Sequence, residues 1–162
     1  MSYIENNLNA GEKIDYFNKP SFKPTILYLF IFVPIVFVIL WVFEDFIAYL
    51  MPNYFMNWHS TIFRVIITII FTALYLIGNL IEIYVSEYAI TNKRVISKRG
   101  LIMRNVEEMN LGSIEGVNLI QGILGRIFNY GSIIISGRGT SKVQFLQIDK
   151  PVEIRKKIKH KS

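Results

Sequence analysis

The residues of this chain that could do chemistry are few and poorly spaced for it. A serine nucleophile needs a histidine base and an acid to orient that base. The two histidines are His59, in a short connector between two apolar runs, and His160, in a lysine-rich terminal stretch. No second His, Asp or Glu stands at metal-ligand spacing beside His59. Glu107 and Glu108 are adjacent, and consecutive residues of a strand point to opposite faces, so they cannot share one pocket as an acid–base pair. Gly137–Arg138–Gly139 has the composition of a phosphate loop without the strand–GxGxxG–helix context; with Thr140 and Ser141 it makes a hairpin turn. The absence of cysteine excludes a disulfide framework, a thiol nucleophile and a thiolate metal site. The expectation is a protein that is not an enzyme and holds neither metal nor cofactor.

What positions these residues is a chain of three unlike parts. Its 162 residues suit one domain, or two small ones, and are 52% hydrophobic but only 19% charged, too apolar for a disordered chain. The net charge of +6 is unevenly placed: 0 over residues 1–24, −2 over 25–82 and +8 over 83–162. A basic end invites a nucleic-acid reading. Here, however, the basic residues fall on turns and a terminal helix, while the aromatics fall on core positions instead of a stacking platform. No nucleic-acid partner is expected, and the nearest anionic surface is the inner leaflet of a membrane.

Residues 25–43 form an uncharged run of 19, about 29 Å as a helix and close to a hydrocarbon thickness of about 30 Å. Residues 65–81 form a second uncharged run of 17, long enough to span if Arg64 snorkels outward. Neither alternates with period two or carries a polar stripe, so two transmembrane helices are expected. The first run begins too late and runs too long for a cleaved signal peptide. Pro34 should kink the first helix without breaking it. Trp41, Tyr49, Tyr54 and Trp58 would form an interfacial belt, and Glu44, Asp45 and Glu82 would mark the span boundaries. The loop 44–64 carries only Arg64. By contrast, Lys13, Lys19 and Lys23 precede the first run, and Lys93, Arg94, Lys98 and Arg99 follow the second. The positive-inside rule therefore places both termini in the cytoplasm.

After residue 82 the chain breaks into short β-prone runs separated by turns. Strands are expected over residues 83–91 (with Tyr84, Tyr88 and Ile90 on one face), 94–98, 101–111, 131–136 and 143–148. One helical turn is expected over 122–128. Pro151 suits a first helical turn with Asp149 as a candidate cap, and Val152, Ile154 and Ile158 would pack down. The predicted fold class is a membrane α-helical hairpin followed by an all-β sandwich or barrel capped by a C-terminal helix. The domain division is 1–24, a cytoplasmic N-terminal segment; 25–82, the hairpin; and 83–162, the β domain.

The stretch Ser86–Glu87–Tyr88–Ala89–Ile90–Thr91–Asn92–Lys93–Arg94–Val95–Ile96, followed by Lys98–Arg99–Gly100, resembles the opening of the bacterial PH-like, membrane-flanked domain family. So does Gly125–Arg126–Ile127–Phe128–Asn129–Tyr130–Gly131–Ser132 with the isoleucine run after it, and Pro151 with its basic helix. Asn7–Leu8, Gly11–Glu12–Lys13–Ile14 and Pro20–Ser21 are similar to that family's lead-in to its hairpin. The resemblance implies a PH-like split β-barrel anchored in a bacterial cytoplasmic (inner) membrane as a multi-pass protein. It implies no defined activity, the family being known mainly as a domain of unknown function. Some members are associated with protection against membrane-active peptides.

The functional expectation is a membrane-anchored PH-like interaction module that binds a partner protein, a second copy of itself or anionic lipid headgroups. The alternative is a protective (immunity) or transport-associated membrane protein acting against membrane-active peptides through the hairpin. A small domain beside wide apolar helix faces favours a homo-oligomer. Lys98 and Arg99, on the turn nearer the second span, are the candidate headgroup contacts, whereas the Lys93–Arg94 turn lies a strand length away. Arg94, Arg126 and Arg138 are candidates for a partner surface. The topology predicts that, in intact cells, an impermeant thiol reagent labels Asn53→Cys and leaves Ser162→Cys untouched; the reverse pattern contradicts the orientation.

Overall fold

The computed structural model describes residues 3–50, 58–139 and 141–161, and within them only the backbone at 44, 45, 47, 48, 58–61, 63 and 64. Asn53, Tyr54 and Ser162, and the side chains of Glu44, Asp45, Trp58, His59 and Arg64, lie outside the described residues. The elements in chain order are α1 (Tyr3–Asn6), β1 (Ile14–Asn18), α2 (Lys23–Leu50), α3 (Trp58–Val85), β2 (Glu87–Thr91), β3 (Arg94–Arg99), β4 (Asn105–Asn110), β5 (Ile114–Ile120), α4 (Ile123–Ile127), β6 (Tyr130–Gly137), β7 (Lys142–Asp149) and α5 (Pro151–Lys161). They divide into two units, residues 24–79 and residues 1–23 together with 80–162.

The first unit holds most of the two long helices. Each contains a stretch long and apolar enough to cross a membrane, Lys23–Phe43 and Val65–Val85, and almost none of either stretch is buried within the chain. The core helix of a soluble protein would be mostly covered, because exposing this much apolar surface to water is unfavourable. Helix α2 runs through Pro34 without interruption. Inside this unit Tyr28 stacks on Tyr75 at 4.0 Å and on Phe32 at 4.5 Å, beside an apolar cavity of about 290 Å³.

The second unit is β-rich, and all its strand pairs are antiparallel. One sheet has the order β1-β2-β3-β4 and the other β5-β6-β7. Strand β6 buries every second residue, as period-two geometry requires of a strand with one face inward. Ile133 and Ile135 from that face meet Val143, Phe145 and Ile148 of β7, Tyr88 and Ile90 of β2, and Ile154 and Ile158 of α5. The Tyr88 and Phe145 rings stack across the two sheets at 5.1 Å. The sheets also meet at one side: the Ser97 hydroxyl donates to the Gln144 carbonyl, and the Gln144 amide donates to the Glu107 carboxylate.

Strand β2 is buried at all five positions, which a one-sided sheet cannot do. Its outer face is covered by the start of the chain. Ile4, 1% exposed, packs with Ala89 and Ile96, and Tyr3, Leu8 and Ile14 close the edge of that cluster. Residues 1–24 were expected as a separate segment. In the structure α1 and β1 instead build the outer layer and the edge strand of the first sheet. Two further boundaries differ from expectation. Residues 83–85 are the last turn of α3, which leaves Tyr84 exposed while Tyr88 and Ile90 point into the core. The expected strand 101–111 begins only at Asn105, and β5 occupies a region with no expected strand. In α5, Ile154 and Ile158 pack down as expected but Val152 is exposed, and Asp149 bonds to Ser21 and Lys23 instead of capping the helix.

If α1 is part of the folded layer, Ile4→Ala removes a fully buried side chain and should destabilise the unit by about 2–4 kcal/mol. Thermal or denaturant unfolding of the full chain measures this. A loss below about 0.5 kcal/mol, typical of an exposed site, would contradict the packing.

Candidate functional site

The strongest polar cluster in the β-rich unit surrounds Arg94, at the start of β3. Its guanidinium forms a fork on Glu12, with Nε 3.0 Å from Oε1 and one terminal nitrogen 3.0 Å from Oε2. The same terminal nitrogen donates to the Asn7 carbonyl, and the other donates to Glu108. Glu12 also accepts from the Asn9 amide at 2.9 Å and the Thr91 hydroxyl at 2.7 Å. Burial alone would raise the pKa of this carboxyl. Hydrogen bonds from Arg94, Asn9 and Thr91, with the field of the guanidinium, outweigh it and hold Glu12 at about 2, while Arg94 is raised. At the other end of β2, the Glu87 carboxylate accepts from the Tyr3 and Ile4 amides, two free N–H groups at the start of α1. Arg94, a candidate for a partner surface, thus has its donors directed at groups of its own chain.

Lys98 and Arg99 sit at the opposite end of β3, where Lys98 pairs with Glu87 in register. The Lys98 side chain is buried and its ammonium donates to the Val85 carbonyl, the last residue of α3, where a cation suits the free carbonyls of a helix end. Arg99 donates to Glu107 at 2.6 Å. The structure sets Lys98 beside the end of α3 and directs both charged groups at partners of their own chain, Val85 and Glu107. Arg126 is exposed on α4, and Arg138, 80% exposed, lies in the β6–β7 turn 3.9 Å from Glu115. Arg94, Arg126 and Arg138 come from three different places in the fold. No single cluster unites them.

The side chains that turn outward beside Lys98 and Arg99 are apolar. Gly100 has φ +85°, and a Cβ there would stand 2.1 Å from the Met103 carbonyl oxygen, so this tight turn needs glycine. The turn presents Leu101, Ile102 and Met103 at 63%, 95% and 86% exposure. Leu101 also closes one side of an apolar groove of about 540 Å³ formed with Pro20, Phe22 and the last turn of α3. Sequence reasoning placed these three residues in a strand. The available signal was a Leu–Ile–Met triplet between Arg99 and Arg104, directly after a glycine. Among the described residues, no three His, Asp or Glu side chains come together as metal ligands.

A family model for the bacterial PH domain matches residues 25–162. The chain belongs to that family. No curated protein and no solved structure matched this chain. The match takes in the hairpin, strands β2 to β7 and helix α5, in keeping with the resemblance carried by Ser86–Ile96 residues and the Pro151 helix. In this bacterial PH domain, the strand that completes the first sheet, β1, lies ahead of the matched region.

Because the carboxyl of Glu12 titrates lower when folded than when unfolded, its contribution to stability is complete above about pH 4.5 and disappears as pH falls toward about 2. Glu12→Gln leaves the Arg94 guanidinium without its forked partner, and should cost about 3 kcal/mol near neutral pH. The difference between variant and parent should shrink as pH falls through that window. Unfolding measured as a function of pH checks this, and a pH-independent difference would contradict it.

Proposed function

We propose that this bacterial PH domain protein is a membrane-anchored, non-catalytic interaction module. Its two long helices cross the cytoplasmic membrane of a bacterium, and its β-rich unit stands at the inner face. The observation that carries the reading is the pair of span-length apolar stretches, almost none of whose residues are buried within the chain, the first beginning and the second ending in the β-rich unit. The basic balance of residues 83–162, net +8, supports the cytoplasmic side, where the leaflet is anionic. The family adds support for binding over catalysis. The site contributes rigidity: its strongest ion pairs fix the outer layer of the first sheet, so the unit presents one stable surface at the bilayer.

The experiment is extraction of bacterial membranes with alkaline carbonate, followed by purification of the retained protein in mild detergent. The expected result is a protein that stays with the membrane and carries anionic lipid or a protein partner through purification. Release into the carbonate supernatant would contradict the anchoring. Retention with nothing bound under any gentle condition would contradict the interaction role.

A further inference from the structure

Two exposed apolar loops lie where the β-rich unit meets the ends of the long helices. The first is the Gly100 turn, with Leu101, Ile102 and Met103 exposed and Leu101 lining one side of a groove shared with Phe22 and the end of α3. The second is α4, between β5 and β6, where Ile123 and Ile127 are 80% and 68% exposed, one helical turn apart on the same face. Phe128 follows them, also exposed. The start of α4 and Gln147 line one groove, and the Gln147 carbonyl accepts from the Ser21 amide at 2.6 Å. Asp149, two residues further along the same strand, accepts from the Ser21 hydroxyl at 3.0 Å and pairs with Lys23 at 2.7 Å. Ser21 and Phe22 immediately precede α2, so both loops flank the point at which the chain leaves this unit.

Isolated exposed apolar residues are ordinary, whereas two groups at one end of a small unit indicate a surface that something covers. Arginines accompany both loops: Arg104, exposed but with its guanidinium 4.9 Å over the Tyr3 ring, follows the first, and Arg126, exposed, lies on the second. The cations of the neighbouring turn are used internally, Lys98 on Val85 and Arg99 on Glu107. What remains outward is an apolar tip with an arginine at its side, the chemistry of a segment seated at the boundary of headgroups and acyl chains.

We infer that the Gly100 turn and the α4 loop both insert into the headgroup–acyl boundary of the bilayer that the long helices cross. The inference rests on the membrane reading above and extends it. The bilayer is chosen over a second protein because the chain that enters the membrane starts beside these loops. Lipid is thus the surface already within reach of them. Insertion at two places holds this end of the β-rich unit against the bilayer.

The chain has no cysteine, so single thiols can be introduced at Ile102, Ile127, Lys13 and Ile39 and given a fluorescent label. Lys13 is exposed and lies across from Asn92 at the far end of β2, and Ile39 is exposed midway along α2. The full chain is placed in nanodiscs of phosphatidylcholine and phosphatidylglycerol, with a quencher carried either shallowly or deeply on the lipid chain, or with acrylamide in the water. The labels on Ile102→Cys and Ile127→Cys are expected to be quenched several-fold more by the shallow lipid quencher than that on Lys13→Cys, and several-fold less by acrylamide. The Ile39→Cys label should respond to the deep quencher. If Ile39→Cys responds and either loop label is as open to acrylamide as Lys13→Cys, the inference is overturned while the anchoring stands. Shielding from acrylamide without lipid quenching assigns the loops to a protein or a second copy, and also overturns it. If Ile39→Cys itself does not respond, the anchoring and the inference fall together.

Discussion

The ladder between β1 and β2 is the constraint on which the rest of the structure depends. Asn18 pairs with Tyr88, Phe17 with Ala89 and Tyr16 with Ile90, although the whole hairpin lies between the two strands in sequence. Closing a loop of that length costs entropy that a few backbone hydrogen bonds do not offset alone. The additional contributions come from side chains. Arg94 forks onto Glu12, Glu87 caps α1, and Ile4 fills the outer face over Ala89 and Ile96. Each ties the segment before the hairpin to strands after it. Both ends of the hairpin therefore emerge from neighbouring strands of one sheet.

This arrangement also explains how charge is distributed. A unit with many basic residues would be expected to turn them outward to water, yet Arg94, Lys98 and Arg99 are all engaged within the chain. They join parts that are distant in sequence: the N-terminal segment, the end of α3 and strand β4. Partly buried, hydrogen-bonded pairs of this kind specify which segments meet more than they add net stability. The outward chemistry near the hairpin is left to apolar side chains, with Arg104 and Arg126 beside them.

How much of this was legible in the sequence depended on the range of the signal. The long helices were visible as uncharged runs, and the β6–β7 hairpin as an isoleucine run, a Gly/Ser turn and a second alternating run. Helix α5 followed from Pro151 and the spacing of Ile154 and Ile158. These are local patterns. Strand β1 was not legible as a strand: its five residues alternate only weakly, and its partner lies on the far side of the hairpin. The turn at Gly100 was missed because Leu101, Ile102 and Met103 are as apolar as strand residues, and only the positive φ of the glycine separates the two. Lys98 and Arg99 were legible as cations ahead of a glycine turn, but a cation in a sequence does not show whether it has a partner. Glu107 and Val85 became those partners through tertiary packing.

Hydrogen exchange on the full chain in nanodiscs tests the central claim most directly. If β1 completes the sheet, the amides of Ile14–Asn18 that pair with β2 should be protected to a degree comparable with β2 itself, and should lose that protection together with it. Exchange of β1 amides at the rate of a free tail, with β2 still protected, would show that the sheet stands without the N-terminal strand and would contradict the account.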